Sequence, residues 1–200
     1  MRKFWGMCVL ALAFSCSARA QGDVPKAEIF GGYSYTRVDR GSGLSGINMN
    51  GWNAAVTGNV NSWLGVTADF SGHYGSPGGV GQNRHSFLFG PKLSYRASQR
   101  FTPFAQALFG AVRAHRDAFG AGFTTNETTF GMALGGGVDY NLSNRLAIRL
   151  IQADYLLTRF DESSGIVCIQ AIGAPCPITQ SGSQHNVRLS FGVTWRIGSR

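Results

Sequence analysis

Charged residues and long apolar runs are both scarce in this chain. Lys, Arg, Asp and Glu make up only 14% of its 200 residues, whereas apolar residues make up 44%. Beyond residue 20, no segment approaches the roughly 18–20 consecutive apolar residues of a membrane-spanning helix. A membrane protein of this composition must therefore cross with strands. The chain also lacks a nucleophile elbow, a phosphate loop and an HExxH motif, so none of these enzyme classes is indicated.

Residues 1–20 have the features of a secretory signal. Two basic residues precede the apolar run Met7–Phe14, and Ala18 and Ala20 occupy the small-residue positions of an A-x-A cleavage site. Cleavage there leaves residues 21–200, which we expect to form one barrel domain. A lipoprotein signal, acylated at the second cysteine of the leader, is the alternative, but the residues before that cysteine match it poorly.

The chain is basic, and its charges are dispersed. The formal net charge is +8, and three basic residues belong to the predicted signal, which leaves about +5 for the rest. A nucleic-acid-binding domain gathers its basic residues into a patch. We interpret the dispersed charges as paired interior residues and basic loop tips, and we expect no nucleic-acid partner.

The last strand of the chain has the clearest pattern. Apolar side chains occupy every second position, at Val187, Leu189, Phe191, Val193, Trp195 and Ile197. The positions between them carry polar, small or charged residues. An open edge with large apolar side chains would recruit other chains, so we expect this strand to pair with the first. Apolar residues outside and polar residues inside are what a barrel in lipid requires.

Seven further segments alternate in the same way, which gives about eight strands. They are Ala27–Arg37, Trp52–Val60, Leu64–Ser71, Ser86–Tyr95, Pro103–Ala111, Phe130–Tyr140 and Ile148–Asp154. Short turns alternate with long loops, which we predict at Asp39–Asn50, His73–His85, Arg113–Thr128 and Arg159–Gln184. This asymmetry is typical of an all-β, eight-stranded antiparallel up-and-down transmembrane β-barrel, with long loops outside and both chain ends in the periplasm.

Two of these strands depart from regular pairing. One extra residue near Leu150–Ile151 is needed to keep Asp154 on the same face as Arg149, which predicts a bulge. Pro91 lacks the amide that a ladder uses, and we predict a second bulge there and a strand start at Pro103.

Four strand segments, together with the leader, carry a resemblance to a known family. They are Ala27–Tyr35, Pro103–Gly110, Arg149–Tyr155 and Asn186–Trp195. The chain resembles the OmpA-like family of eight-stranded outer-membrane β-barrels, in the form that consists of the barrel alone. The resemblance implies the fold and a place in the bacterial outer membrane. We expect two departures from the family's pattern. No peptidoglycan-binding domain follows the barrel, and an internal aromatic residue replaces the terminal one that the family's assembly machinery recognises.

Alternation places four acidic and four basic residues on the inner face. The acids are Glu28, Asp69, Asp139 and Asp154, and the bases are Lys92, Arg149, Arg188 and Arg196. An eight-stranded barrel is just wide enough for side chains to fill, so these charges must pair. Two interpretations follow, a polar relay or gated ion path and an ion-paired plug that sets strand register. We favour the plug.

The remaining reactive side chains indicate a disulfide and no metal site. The four histidines fall at predicted loops or loop bases and offer no local ligand pair, so we expect solvated residues and no cofactor; they are His73, His85, His115 and His185. Cys168 and Cys176 are the only cysteines outside the leader. In the fourth loop of an exported protein they predict a disulfide, with two free thiols as the weaker alternative.

Function is predicted only by class. We expect a non-enzymatic, monomeric barrel with a structural or surface-interaction role, surrounded by outer-membrane lipid and lipopolysaccharide. Its long loops would contact an extracellular ligand such as a host surface, phage or matrix. A small pore or transport barrel is the alternative, and a lipid-modifying outer-membrane enzyme is the least favoured.

Overall fold

The computed structural model describes residues 24–38, 46–75, 81–117, 124–159 and 183–199. These residues form eight strands: β1 (Pro25–Val38), β2 (Ile47–Asn59), β3 (Leu64–Gly75), β4 (Gly81–Ser94), β5 (Phe101–Asp117), β6 (Thr124–Asn141), β7 (Leu146–Arg159) and β8 (Ser183–Ser199). Each strand pairs with its chain neighbours, and β8 closes on β1. The predicted eight-stranded up-and-down barrel is therefore confirmed. Among the residues described, no helix is long and apolar enough to cross a membrane.

Pairing of the two terminal strands closes the barrel. β1 and β8 run antiparallel, with Glu28 opposite Arg196 and Tyr33 opposite Phe191. The rings of Tyr33 and Phe191 pack with their centroids 5.3 Å apart on the outer surface. Closure removes the exposed edge that either strand would present on its own.

The barrel is apolar outside and polar inside, as the alternation predicts. Exposed aromatic side chains occur towards both ends of the strands, and phenylalanines such as Phe89 and Phe109 lie between them. Those near the short turns are Trp63, Tyr95, Phe101 and Trp195, and those towards the other end are Tyr33, Trp52, Tyr74 and Tyr155. Two aromatic girdles around an apolar band are the arrangement that suits lipid with a headgroup layer on each side.

The strands extend further than predicted at the long-loop end. β3 continues to Gly75 and β4 begins at Gly81, so most of the predicted loop His73–His85 is strand. β2, β5 and β6 likewise extend into the first and third predicted loops. The polar composition of these strand ends caused the error, because a barrel's strands remain paired beyond the apolar band while their inward side chains stay polar.

One predicted bulge is present and the other is absent. The register of β7 against β8 shifts between Arg149 and Gln152, which leaves Leu150 and Ile151 both facing outwards. The predicted bulge at Pro91 is wrong, since β4 keeps one register with β5 on either side of it. The proline is accommodated by a gap in that ladder and not by an extra residue.

Candidate functional site

Arg188 spans the middle of the barrel. Its side chain extends from β8, and its Nη1 lies 2.7 Å from Asp69 Oδ1 on β3. Its Nη2 lies 2.7 Å from Asp154 Oδ2 on β7. All three side chains are essentially inaccessible to solvent. Because β8 and β3 are not neighbours in the sheet, this pairing crosses the lumen.

Three amides complete the hydrogen bonding of the two carboxylates. Gln106 Nε2 donates to Asp154 Oδ1 at 3.0 Å, and Gln152 Nε2 donates to Asp154 Oδ2 at 2.6 Å. Asn53 Nδ2 donates to Asp69 Oδ2 at 2.9 Å. Five strands therefore contribute to one polar cross-section, which we call the central network. A buried ion pair is stable only when its remaining acceptors are satisfied in this way.

A glycine on β6 makes room for the central network. Gly135 faces inwards beside Asp154, and a Cβ added there would collide with the Ala153 carbonyl oxygen and the Asp154 carboxylate. The close approach of β6 to β7 at this height therefore requires glycine.

A second charge cluster, which we call the turn-end cluster, lies nearer the short turns and is centred on Glu28. Lys92 Nζ lies 3.0 Å from Glu28 Oε2, and Arg96 Nη2 lies 2.9 Å from Glu28 Oε1. Arg196 Nε is 3.8 Å from the same Oε1. Lys92 extends from β4 to β1, so this cluster also crosses the lumen. Three basic side chains share a single carboxylate.

Arg149 joins this turn-end cluster through both an ion pair and aromatic rings. Its Nε lies 2.8 Å from Asp139 Oδ1 on the neighbouring strand. Its guanidinium carbon lies 4.1 Å from the ring centre of Phe30 and 4.4 Å from that of Phe104. Guanidinium groups stack favourably on aromatic faces, so this arrangement fills the lumen between β1, β5 and β7.

Towards the long-loop end the interior is closed by small polar and apolar side chains. Ser34 Oγ lies 2.9 Å from both His73 Nε2 and Ser190 Oγ, and all three residues are buried. An apolar cluster lies on the inner face of β4 to β7 and is formed by Leu88, Leu108, Ala133 and Leu156. Neither the Ser34 nor the His73 side chain contacts solvent.

The structure places all eight residues of the predicted interior charge set inside the barrel and within one of the two ion-paired groups. Sequence reasoning missed three further inward side chains, Arg84, Arg96 and His73. Each continues the alternation of its strand: His73 follows Asp69 and Ser71, and Arg96 follows Lys92 and Ser94. Extending the alternation beyond the apolar band would have found them.

The histidines differ from the prediction of solvated loop residues, since all four lie within strands. His73 faces the interior, whereas His85 packs edge-to-face against Tyr74 and His185 shares a hydrogen bond with Tyr155 on the outer surface. Among the residues described, no three His, Cys, Asp or Glu side chains are grouped so as to hold a metal ion. The predicted signal and the Cys168–Cys176 pair lie outside the described residues.

The sequence of this barrel matches a known protein family. Residues 7–196 match the family model described as the outer membrane protein beta-barrel domain. The chain belongs to this family. Its apolar outer surface therefore faces the lipid of a bacterial outer membrane, and its short turns face the periplasm.

Solved structures of small outer-membrane barrels share the fold. Neisserial surface protein A is 15% identical, with a TM-score of 0.62 over 86% of this chain and 97% of that one. Ail, the attachment invasion locus protein of Yersinia pestis, is 17% identical, with a TM-score of 0.55 over 86% and 99%. OprG of Pseudomonas aeruginosa is 10% identical, with a TM-score of 0.55 over 88% and 98%. A comparison with curated proteins found no match.

Proposed function

We propose that this outer-membrane barrel is non-enzymatic and non-conducting, and that it acts at the cell surface through the connections between its strands. The observation that carries the proposal is the pairing of Arg188 with both Asp69 and Asp154. This pairing fills the middle of the lumen with side chains that bind one another. A continuous aqueous path would require these hydrogen bonds to open at the cost of leaving buried charges unpaired.

The chain topology supports a surface role for four connections. They join β1 to β2, β3 to β4, β5 to β6 and β7 to β8, at the end opposite the short turns. In this family that end faces the outside of the cell. The β7–β8 connection covers residues 160–182 and is the longest of the four. Binding residues of a rigid scaffold are concentrated in such connections.

Ail is named for attachment and invasion, and one of its structures contains the heparin analogue sucrose octasulfate. At 17% identity the likeness to Ail establishes the fold alone. It serves here to select a probe, a sulfated polysaccharide, alongside extracellular-matrix proteins.

Replacement of residues 160–182 by a short Gly-Ser turn tests the proposal. Bacteria that display the parent should adhere to surfaces coated with heparin or matrix proteins more strongly than bacteria without it. The replacement should abolish this adhesion while heat-modifiable gel migration shows that the barrel still folds. A matched replacement of residues 76–80 controls for a general effect of altering a connection. Two outcomes would contradict the proposal. In one, bacteria with the parent protein adhere no better than bacteria without it; in the other, the 160–182 replacement retains full adhesion.

A further inference from the structure

The periplasmic mouth of the barrel contains a cavity of about 510 Å³. Residues of three turns and of β1, β5, β6 and β8 line it, among them Ser62, Arg96, Arg100, Thr102, Asn141 and Arg196. Three of these are arginines, and no acidic residue of the described chain lines the cavity. Arginine keeps its charge at any physiological pH, so the cavity is permanently positive.

Arg196 has hydrogen-bond donors that the protein leaves unused. The residue is 8% exposed, and its buried Nε and Nη2 atoms have no hydrogen-bond partner. The buried Nε of Arg96 also makes none. An unsatisfied buried donor is costly, and a charged one costs more than a neutral one. These donors are therefore available to a ligand that accepts hydrogen bonds.

The charge balance around the mouth indicates that the acceptor is an anion. The turn-end cluster contains four basic side chains, Lys92, Arg96, Arg149 and Arg196, and only two carboxylates, Glu28 and Asp139. Water could accept the free hydrogen bonds, but it would leave two positive charges uncompensated. An anion with several acceptor oxygens supplies both the hydrogen-bond acceptors and the compensating negative charge.

We infer that the periplasmic mouth binds a soluble phosphate group between Arg196, Arg96 and Arg100. Guanidinium groups recognise tetrahedral oxyanions through paired, charge-assisted hydrogen bonds. The cavity opens at the end of the lumen, with Arg196 buried inside it and Arg100 on its exposed rim, so the ligand enters from the aqueous periplasm and not from the lipid. Its volume also admits a phosphate carried on a small organic molecule.

Phosphate titration of the folded, full-length protein tests the inference. The protein is held in an alkyl-glucoside detergent, which contains no phosphate, and inorganic phosphate is added at constant ionic strength against chloride. Calorimetry should show saturable binding. Arg196→Gln should weaken the affinity about tenfold or more, as expected for loss of a charged hydrogen bond. Arg100→Gln, on the exposed rim, should weaken it several-fold and provides a second variant if Arg196→Gln fails to fold.

Arg145→Gln is the matched control, because Arg145 is an exposed basic residue at the same end that does not line the cavity. Its affinity for phosphate should remain within about twofold of the parent. Absence of saturable binding by the parent would overturn the inference. So would an equal loss in Arg145→Gln and Arg100→Gln, which would indicate a general effect of surface charge.

Discussion

Arg188 and Asp69 lie three strands apart around the barrel, yet their side chains meet in its centre with Nη1 2.7 Å from Oδ1. Asp154 binds the same guanidinium from the other side. One arginine thus ties β8 to β3 and to β7 across the space where a channel would run. The filled lumen follows from this contact, and it supports the proposal that the barrel does not conduct.

Replacement of Arg188 by alanine should lower the free energy of unfolding strongly. The change leaves Asp69 and Asp154 buried without their common cation, and breaking a buried ion pair costs about 3–5 kcal/mol. Urea unfolding of protein inserted in lipid vesicles measures the loss. Arg145→Ala, which removes an exposed basic side chain, should change the value by less than about 0.5 kcal/mol. Equal stabilities for the two variants would show that Arg188 does not bind the carboxylates of Asp69 and Asp154 in the folded protein.

The turn-end cluster predicts a partial rescue. Glu28→Gln removes the carboxylate that Lys92, Arg96 and Arg196 share, so the basic side chains should repel one another and the barrel should lose about 3–5 kcal/mol. Adding Arg196→Gln to this variant relieves part of the repulsion and should recover about 1–2 kcal/mol. The same unfolding assay measures both variants. If adding Arg196→Gln lowered the stability of the Glu28→Gln variant further, the excess of positive charge in the cluster would be refuted.

Gly135 provides a steric test of the central network. Gly135→Ala should destabilise the barrel by about 1–3 kcal/mol, because the new Cβ forces the Ala153 carbonyl or the Asp154 carboxylate to move. Gly31→Ala is the control, since a Cβ there meets no atom within 4 Å. Thermal conversion on gels ranks the two variants. If Gly135→Ala matched or exceeded the stability of Gly31→Ala, the close approach of β6 to β7 would be disproved.

The disulfide between Cys168 and Cys176 remains a prediction from sequence. Mass mapping of protein taken from the outer membrane should find the two cysteines joined. Reduction should release about 2–3 kcal/mol of loop-closure constraint in the β7–β8 connection, while heat-modifiable migration stays unchanged because the strands keep their own ladders. Recovery of two free thiols from an oxidising preparation would exclude the bond.

Alternation along the strands was enough to predict the barrel and which side chains face inwards. It placed Arg188 and Asp69 on the inner face, but it could not predict that they meet, because contacts across a lumen depend on the register of every strand between them. It also predicted the bulge at Leu150, since Asp154 would otherwise face lipid. The extent of the strands was misjudged where polar residues such as His73 and Arg84 continue the alternation above the apolar band.

Single-channel recording of the purified full-length protein in planar lipid bilayers tests the filled lumen most directly. Folding is first verified by heat-modifiable migration, and a general porin in the same bilayer shows that the recording detects open channels. With Arg188 bound to Asp69 and Asp154 across the lumen, we expect no stable conductance steps. Large, stable and reproducible currents from the parent protein would contradict a closed barrel and would favour a pore.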